Sequence, residues 1–528
     1  MSITWETTAR ARARLATERG AIVKDWGGRL PIALVYPNTY FVGMSSLGFQ
    51  IIYALLNDQS DVVCERAFCE AAGGRPAANE LLLSLETQRP LGDFAALAFS
   101  VTFELDYYNV VACLRAAGLP VLAGERDERH PLVIGGGPCL TANPEPLAPF
   151  FDAIVVGEAE PALPGLLEAL RANADRASTL RALAQQPGVY VPSLYEPAYA
   201  ADGRLVEVQA AAGAPPLVSR VFLRRLDEGP GCSTIVAKDT ELANMWLVEV
   251  ARGCARGCLF CLAGFCFLPA RERSPASVLA MAERGLAYTK RIGLVGAAVS
   301  DYRHFETVLR QLRARGAQVA VSSLRVDSFS EPVARALAES GARTATLGIE
   351  AGSQRLRDLV HKGITDDDVL RAAEVAGRVG FDQAKLYYMV GLPGETDADV
   401  QAIIDLTLGV AERLERHHRG ARVVVGLTPF VPKAQTPFQW MAMAEAGLLK
   451  ERLAPVLAAM DRHSLAAWSR ALRGQGLAAD FYLRRPRPVD EVLPWAAISS
   501  GVRPAALARL GGPARRAAGY DEAEPRGK

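Results

Sequence analysis

Three cysteines stand close together in Cys254-Ala-Arg-Gly-Cys258-Leu-Phe-Cys261. No other stretch of the chain is as well suited to chemistry. At C-x3-C-x2-C spacing, three thiolates share one tight loop and can hold three corners of a cubic iron–sulfur cluster. The fourth iron then lacks a protein ligand and is open to a small molecule. Gly253 and Gly257 suit backbone that must fold closely around such a group without Cβ clashes. The rival is zinc, which takes four ligands and could recruit Cys266 as the fourth.

The elements that position this loop are legible in the apolar pattern. Strand signals at 246–250, 292–298, 318–322, 344–349, 385–390 and 423–427 alternate with helical segments. Ser274-Pro275 supplies an N-cap with proline in the first helical position. Thr365 with Asp368, and Thr396 with Asp399, have the spacing of a capping box. Six βα units predict a partial TIM-type barrel over 245–445, with its site at the carboxyl ends of the strands.

Ahead of it, strands at 30–36, 94–101, 131–134 and 152–156 alternate with helices at 49–56, 106–117 and 161–171, and a weaker strand lies at 62–64. This predicts an α/β domain over 1–175, a doubly wound parallel sheet of Rossmann or flavodoxin type. Ligands of such sheets sit at the carboxyl ends of the strands, where Gly135-Gly136-Gly137 and Gly157-Glu158 fall. Prolines, glycines and a short alternating run at 204–208 mark 176–244 as a β-containing connector. A small helical region is expected over 446–528, its tail disordered after Gly511.

Bulk properties narrow the class. The chain has 528 residues, 22% charged, and a net charge of +1, so nothing global favours nucleic acid or a membrane surface. Nucleic acid is not excluded, because a local basic groove is compatible with that total. No apolar run approaches the ~18 residues of a membrane helix. The Arg/Ala/Thr-rich start has no apolar core and is not expected to be a secretory signal. Nine cysteines, three clustered and six scattered, fit a reducing compartment, and the cytoplasm is the expected location. Cys64, Cys69, Cys113 and Cys139 match no ligand spacing and read as buried small hydrophobes.

The cysteine loop, followed by Gly348-Ile-Glu350-Ala-Gly-Ser353 on the fourth strand and Lys385 to Gly391 on the fifth, resembles the radical S-adenosylmethionine (radical SAM) family. The resemblance implies one 4Fe-4S cluster on Cys254, Cys258 and Cys261, with SAM on the open iron. It also implies SAM contacts from Phe260, Gly296, Ser323, Arg325, Glu350, Ser353, Lys385 and Gly391. Glu350 would accept from the ribose hydroxyls, and Arg325 would pair with the methionine carboxylate. Read as plain structure, Glu350 caps a helix and Arg325 bridges to Asp327. The Gly-Gly-Glu that many members carry at the second strand is absent here.

The N-terminal half is similar to the cobalamin-binding domain of one branch of that family, through Gly135-Gly136-Gly137, Gly157-Glu158 and Tyr40 with Gly43. Tyr40, Gly43, Gly135, Gly136, Gly137 and Glu158 would then contact cobalamin. No histidine occurs at 37–48, so the corrinoid would bind without a histidine ligand. The same residues suit a flavodoxin-like domain that binds nothing or contacts substrate. The implied activity is reductive cleavage of SAM to a 5′-deoxyadenosyl radical, with electrons from a reductant such as flavodoxin or ferredoxin. Cobalamin-dependent methylation of an unknown substrate would follow. The alternatives are radical SAM chemistry without cobalamin, of the methylthiotransferase kind, and an iron–sulfur or zinc-stabilised binding scaffold.

Overall fold

The computed structural model describes residues 3–69, 81–172, 175–321, 324–460 and 486–520. The chain forms two compact units. The first takes residues 1–250, 271–293 and 492–501, and the second takes 251–270, 294–491 and 502–528.

In the first unit β1 (Leu30–Tyr36), β2 (Val62–Phe68), β3 (Ala96–Ser100), β4 (Leu132–Gly136) and β5 (Ala153–Val155) form a parallel sheet in the order 2-1-3-4-5. A short β6 (Val189–Tyr190) closes the edge antiparallel to β5. Helices Leu47–Asp58 and Ala159–Arg171 contribute Phe49, Tyr53 and Leu167 to the core on one side. Helix Tyr107–Ala116 contributes Val110, Cys113 and Leu114 to a second core. The chain order reverses between β1 and β3, the place where open α/β sheets bind ligands. β7 (Tyr195–Tyr199) and β8 (Leu205–Ala210) make the connector hairpin, and β9 (Val218–Ser219) pairs with Ile498–Ser499.

β2 is longer than its apolar pattern suggests, because Glu65 and Arg66 interrupt that pattern while being fully buried. Arg66 donates to Glu86 Oε1 at 2.7 Å and to Glu18 at 2.8 and 2.6 Å. Its guanidinium carbon lies 4.9 Å from the Tyr53 ring centroid. Such a cluster is tolerable only when each charge is matched, and removing one member strands the others.

β10 (Met245–Glu249) ends the connector. The cysteine loop follows, bounded by the short strands β11 (Ala251–Arg252) and β12 (Arg271–Glu272). Val250 and Arg273, on either side of it, are tied by a backbone hydrogen bond of 2.9 Å. Arg273 also donates to Glu249 at 2.8 Å and to the Gly229 and Pro230 carbonyls, fixing where β10 ends. β13 (Arg291–Val295) comes next, after helix Pro275–Leu286, whose Ser274 cap accepts from Ser277 N–H at 3.2 Å.

The second unit carries β14 (Gln318–Val321), β15 (Thr344–Glu350), β16 (Gln383–Val390) and β17 (Arg422–Pro429). Between them run helices Glu331–Glu339, Asp366–Val379 and Asp397–His417. β15, β16 and β17 are parallel neighbours, and a parallel bridge joins Leu324 to Leu347. The capping box at Thr365 is complete: Asp368 N–H donates to Thr365 Oγ1 at 3.1 Å, and Thr365 N–H donates to Asp368 Oδ2 at 2.9 Å. The strand–helix alternation expected for the catalytic region is thus present in order, within an α/β fold of parallel sheets.

One expectation is corrected. The stretch after Gly511 is not disordered as far as it is described: helix Pro504–Ala517 runs through it. Alanine and arginine there are strong helix formers. Ala514 is buried, and a Cβ on Gly511 would meet the Pro437 carbonyl oxygen at 2.5 Å, so glycine permits the close approach. Among the described residues, no helix is long and apolar enough to cross a membrane.

Arg66→Met should destabilise the protein by about 3–5 kcal/mol by stranding Glu18 and Glu86. A thermal melt of this variant beside wild type measures it; an unchanged midpoint would show that the cluster does not hold the sheet.

Candidate active site

Backbone within the cysteine loop turns back on itself. Cys254 N–H donates to Ala263 O at 3.1 Å, Cys261 N–H to Cys258 O at 3.0 Å, and Gly264 N–H to Cys261 O at 3.2 Å. Gly253 has φ +79°, and a Cβ there would lie 2.3 Å from Phe267 O. Cys258 is buried, while Cys254, Phe260 and Cys261 are half-buried. Leu259 N–H donates to Val360 O at 3.0 Å, tying the loop to the turn that carries Lys362.

Burial pushes the Cys258 thiol up, with Lys362 and Arg325 pulling the other way. Burial raises Cys261 as well, opposed by the N–H groups of Ala263 and Gly264. Sheltered thiols of this kind become ligand thiolates when a cationic metal centre compensates them, and amide donors to sulfur stabilise the charged form. The donor set, three thiols on one loop with two amides on one sulfur, therefore suits an iron–sulfur cluster. Zinc fits less well, because it takes four ligands and the loop supplies three thiols at ligand spacing.

Arginines and aspartates alternate beside the loop. Arg256 makes a two-pronged contact with Asp301 at 2.7 and 2.8 Å and reaches Asp327 at 3.3 Å. Arg325 Nε donates to Asp327 Oδ1 at 2.9 Å and stands 4.0 Å from Asp301. Arg325 therefore does bridge to Asp327, and its Nη2 also donates to Lys362 O at 3.2 Å. Ser323 lies outside the described residues.

At the end of β15 the register shifts between Gly348 and Glu350, and Glu350 adopts φ +73°. A left-handed glutamate costs of order 1–3 kcal/mol, and such strain collects at functional sites. The bulge brings the Glu350 carboxylate to 3.1 Å from Lys362 Nζ. A Cβ on Gly348 would stand 2.9 Å from that carboxylate oxygen, so the glycine of Gly-x-Glu makes room for the acid. Glu350 does not cap the next helix. Ser353 does, accepting from Leu356 N–H at 3.2 Å while its hydroxyl donates to Asp399.

Lys385 lies on the half-exposed face of β16, its Nζ 5.0 Å from the Tyr387 ring centroid. Gly391 N–H donates to Glu395 Oε2 at 2.8 Å, and a Cβ there would meet Leu449 and Ala444. Gly296 follows β13 directly, in the same unit as the cysteine loop. Sequence reasoning missed Lys362 and Arg256. Lys362 sits in a turn without periodicity, whereas Arg256 could have been noticed as a cation between two ligand cysteines.

In the first unit the predicted cofactor residues have mixed surroundings. Tyr40 is buried, and its hydroxyl donates to Glu18 at 2.5 Å. Gly43 is required by packing, since a Cβ would stand 2.8 Å from Phe68. Glu158 is buried in a pair with Arg271 at 2.6 Å. Gly135, Gly136 and Gly137 line an apolar cavity of about 140 Å³ between the sheet and helices Leu47–Asp58 and Ala159–Arg171. Gly137 has φ +111°, with Val101 O 2.4 Å from its Cβ position, whereas a Cβ on Gly136 would meet Val155 at an ordinary contact distance of 3.8 Å. Around the carboxyl ends of β1 and β3, Phe41, Phe103, Leu105 and Tyr108 are exposed.

Residues 248–407 match the radical SAM superfamily, and residues 48–192 match the family described as radical SAM proteins, N-terminal. Together these matches span more than half of the chain. The chain belongs to the radical SAM superfamily. An uncharacterised protein of Methanocaldococcus jannaschii is 27% identical to this radical SAM protein over 412 residues, 77% of this chain and 79% of that one. The radical SAM methyltransferase TsrM from Kitasatospora setae, solved with cobalamin and a [4Fe-4S] cluster, superposes with a TM-score of 0.51 at 17% identity, covering 79% of both chains. The cobalamin-dependent SAM radical enzyme OxsB, solved with aqua-cobalamin, gives 0.52 at 15% identity, covering 81% of this chain and 62% of that one. At these identities the likeness to both structures is one of fold.

Replacing Cys254, Cys258 or Cys261 by Ala should each abolish the ~400 nm absorbance and the roughly four irons per chain of the reconstituted protein. Cys266→Ala should keep both. Loss of iron in the Cys266 variant would revive the four-ligand zinc-type site.

Proposed function

We propose that this radical SAM protein is a cobalamin-dependent methyltransferase acting on a substrate the sequence does not name. One observation carries the reading: a C-x3-C-x2-C loop shares the chain with a 2-1-3-4-5 parallel sheet that has an apolar cavity beneath its glycine-lined edge. When bound, the cluster and SAM supply a 5′-deoxyadenosyl radical that takes a hydrogen atom from substrate, and the corrinoid supplies the methyl group.

The chain's own residues would hold and orient these groups. Cys254, Cys258 and Cys261 would hold the cluster. Glu350 would accept from both ribose hydroxyls, a task for which a carboxylate has enough lone pairs. Arg325 is committed to Asp327, so Lys362 is the better partner for the methionine carboxylate. An ammonium can turn from Glu350 to a second anion without a planar match. Gly348 keeps that space clear. A cavity of this size with an apolar lining takes one aromatic group, such as the base on a corrinoid's nucleotide tail. The exposed apolar side chains at the ends of β1 and β3 offer a surface for a macrocycle, and no histidine occurs at 37–48 to ligate cobalt.

A second reading, radical SAM chemistry without a corrinoid, is favoured by Tyr40 and Glu158, which are both engaged in internal pairs. None of the nine cysteines is in a disulfide, as a reducing cytoplasm would keep them, and a flavodoxin- or ferredoxin-type donor would supply the electron there.

Anaerobic incubation with reductant, SAM and cobalamin should yield 5′-deoxyadenosine and S-adenosylhomocysteine together. Deoxyadenosine alone would sustain the corrinoid-free reading. Ala98 lines the cavity, so Ala98→Phe should weaken corrinoid binding at least about tenfold by filling it, while SAM binding stays at the wild-type level. Equal corrinoid affinity in the two proteins would remove the cavity from the argument.

A further inference from the structure

We infer that Arg256 is a positioning residue that both anchors the cysteine loop and tunes the reduction potential of the cluster through Asp301 and Asp327. The inference rests on the radical SAM reading, and its test separates the two. Arg256 lies two residues from Cys254 and two from Cys258. Its Nε and Nη2 engage both oxygens of Asp301 at 2.7 and 2.8 Å, and its Nη1 stands 3.3 Å from Asp327. A planar guanidinium fork is the side chain that can span two carboxylates in fixed geometry, which a lysine cannot copy. Leu259 N–H to Val360 O, at 3.0 Å, is a backbone link from the loop to the neighbouring turn.

Arg325 completes an alternating square of two arginines and two aspartates. The square is neutral as a whole, so changing one corner leaves a net charge beside the cluster. Asp301 and Asp327 are about one-fifth exposed, so water screens that charge only in part. Removing Arg256 leaves an excess negative charge, which opposes adding an electron. Removing the charge of Asp301 leaves an excess positive one, which favours it. Opposite signs from two halves of one contact are the signature of an electrostatic role. A purely structural contact would shift both variants alike.

The experiment is a redox titration of the reconstituted full-length protein, reading the reduced cluster by electron paramagnetic resonance and iron by colorimetry. At a fixed potential, Arg256→Gln should lower the ratio of reduced to oxidised cluster about three- to tenfold. Asp301→Asn should raise it by a similar factor, and the double variant should return close to wild type. Arg256→Lys keeps the charge and loses the fork. It should keep the wild-type ratio but retain severalfold less iron after desalting. Shifts of the same sign in Arg256→Gln and Asp301→Asn, or none in either, overturn the inference. A wild-type protein that takes up no reducible cluster overturns the radical SAM reading itself.

Discussion

The structure depends on presenting three thiols, those of Cys254, Cys258 and Cys261, on one short loop. A loop that small cannot bury enough of itself to be rigid, so its shape must come from outside. Charge does much of this here. Arg256 reaches out to Asp301 and Asp327, and the Leu259 amide is received by the turn that carries Lys362. The chain flanking the loop is clamped by Arg273 against Glu249 and the connector carbonyls. Most of these clamps are arginines, whose five donors can satisfy several acceptors at once.

The same economy appears away from the cysteines. Arg66 holds Glu18 and Glu86 in the core of the N-terminal sheet, and Glu158 takes Arg271. Buried charges of this kind contribute little net stability and much geometric definition when every partner is present. They also explain why some residues that looked like cofactor contacts are turned inward. Tyr40 is bound to Glu18, and Gly43 is small because Phe68 lies against it.

Strain and space meet at Glu350. The bulge after Gly348 and the positive φ of Glu350 aim its carboxylate at Lys362, and glycine at 348 is what lets it lie there. A Gly-x-Glu motif thus acquires a physical reason. The first glycine makes room for the acid, and the acid's backbone is held in a conformation that packing alone would not select.

Much of the architecture was legible in the chain itself. Strand positions came from runs such as Leu30–Tyr36, where burial follows hydrophobicity, and helix starts came from caps such as Thr365 with Asp368. The proposed cluster loop was legible because C-x3-C-x2-C is a local pattern that needs no tertiary information. The full length of β2 was hidden, since Arg66 is buried only by virtue of distant carboxylates. Helix formation past Gly511 was hidden because Gly511-Gly512-Pro513 reads as a helix breaker, whereas in the fold Gly511 packs closely on Pro437 within the helix. The Arg325–Asp327 bridge, between residues two apart, was legible, but Lys362, which joins the site twelve residues after Glu350, and the meeting of Arg256 with Asp301 and Asp327 were decided only by folding. Sequence records which groups are available and the local periodicity that builds elements. Which charge meets which is set by contacts between residues far apart in the chain, and no local pattern encodes those.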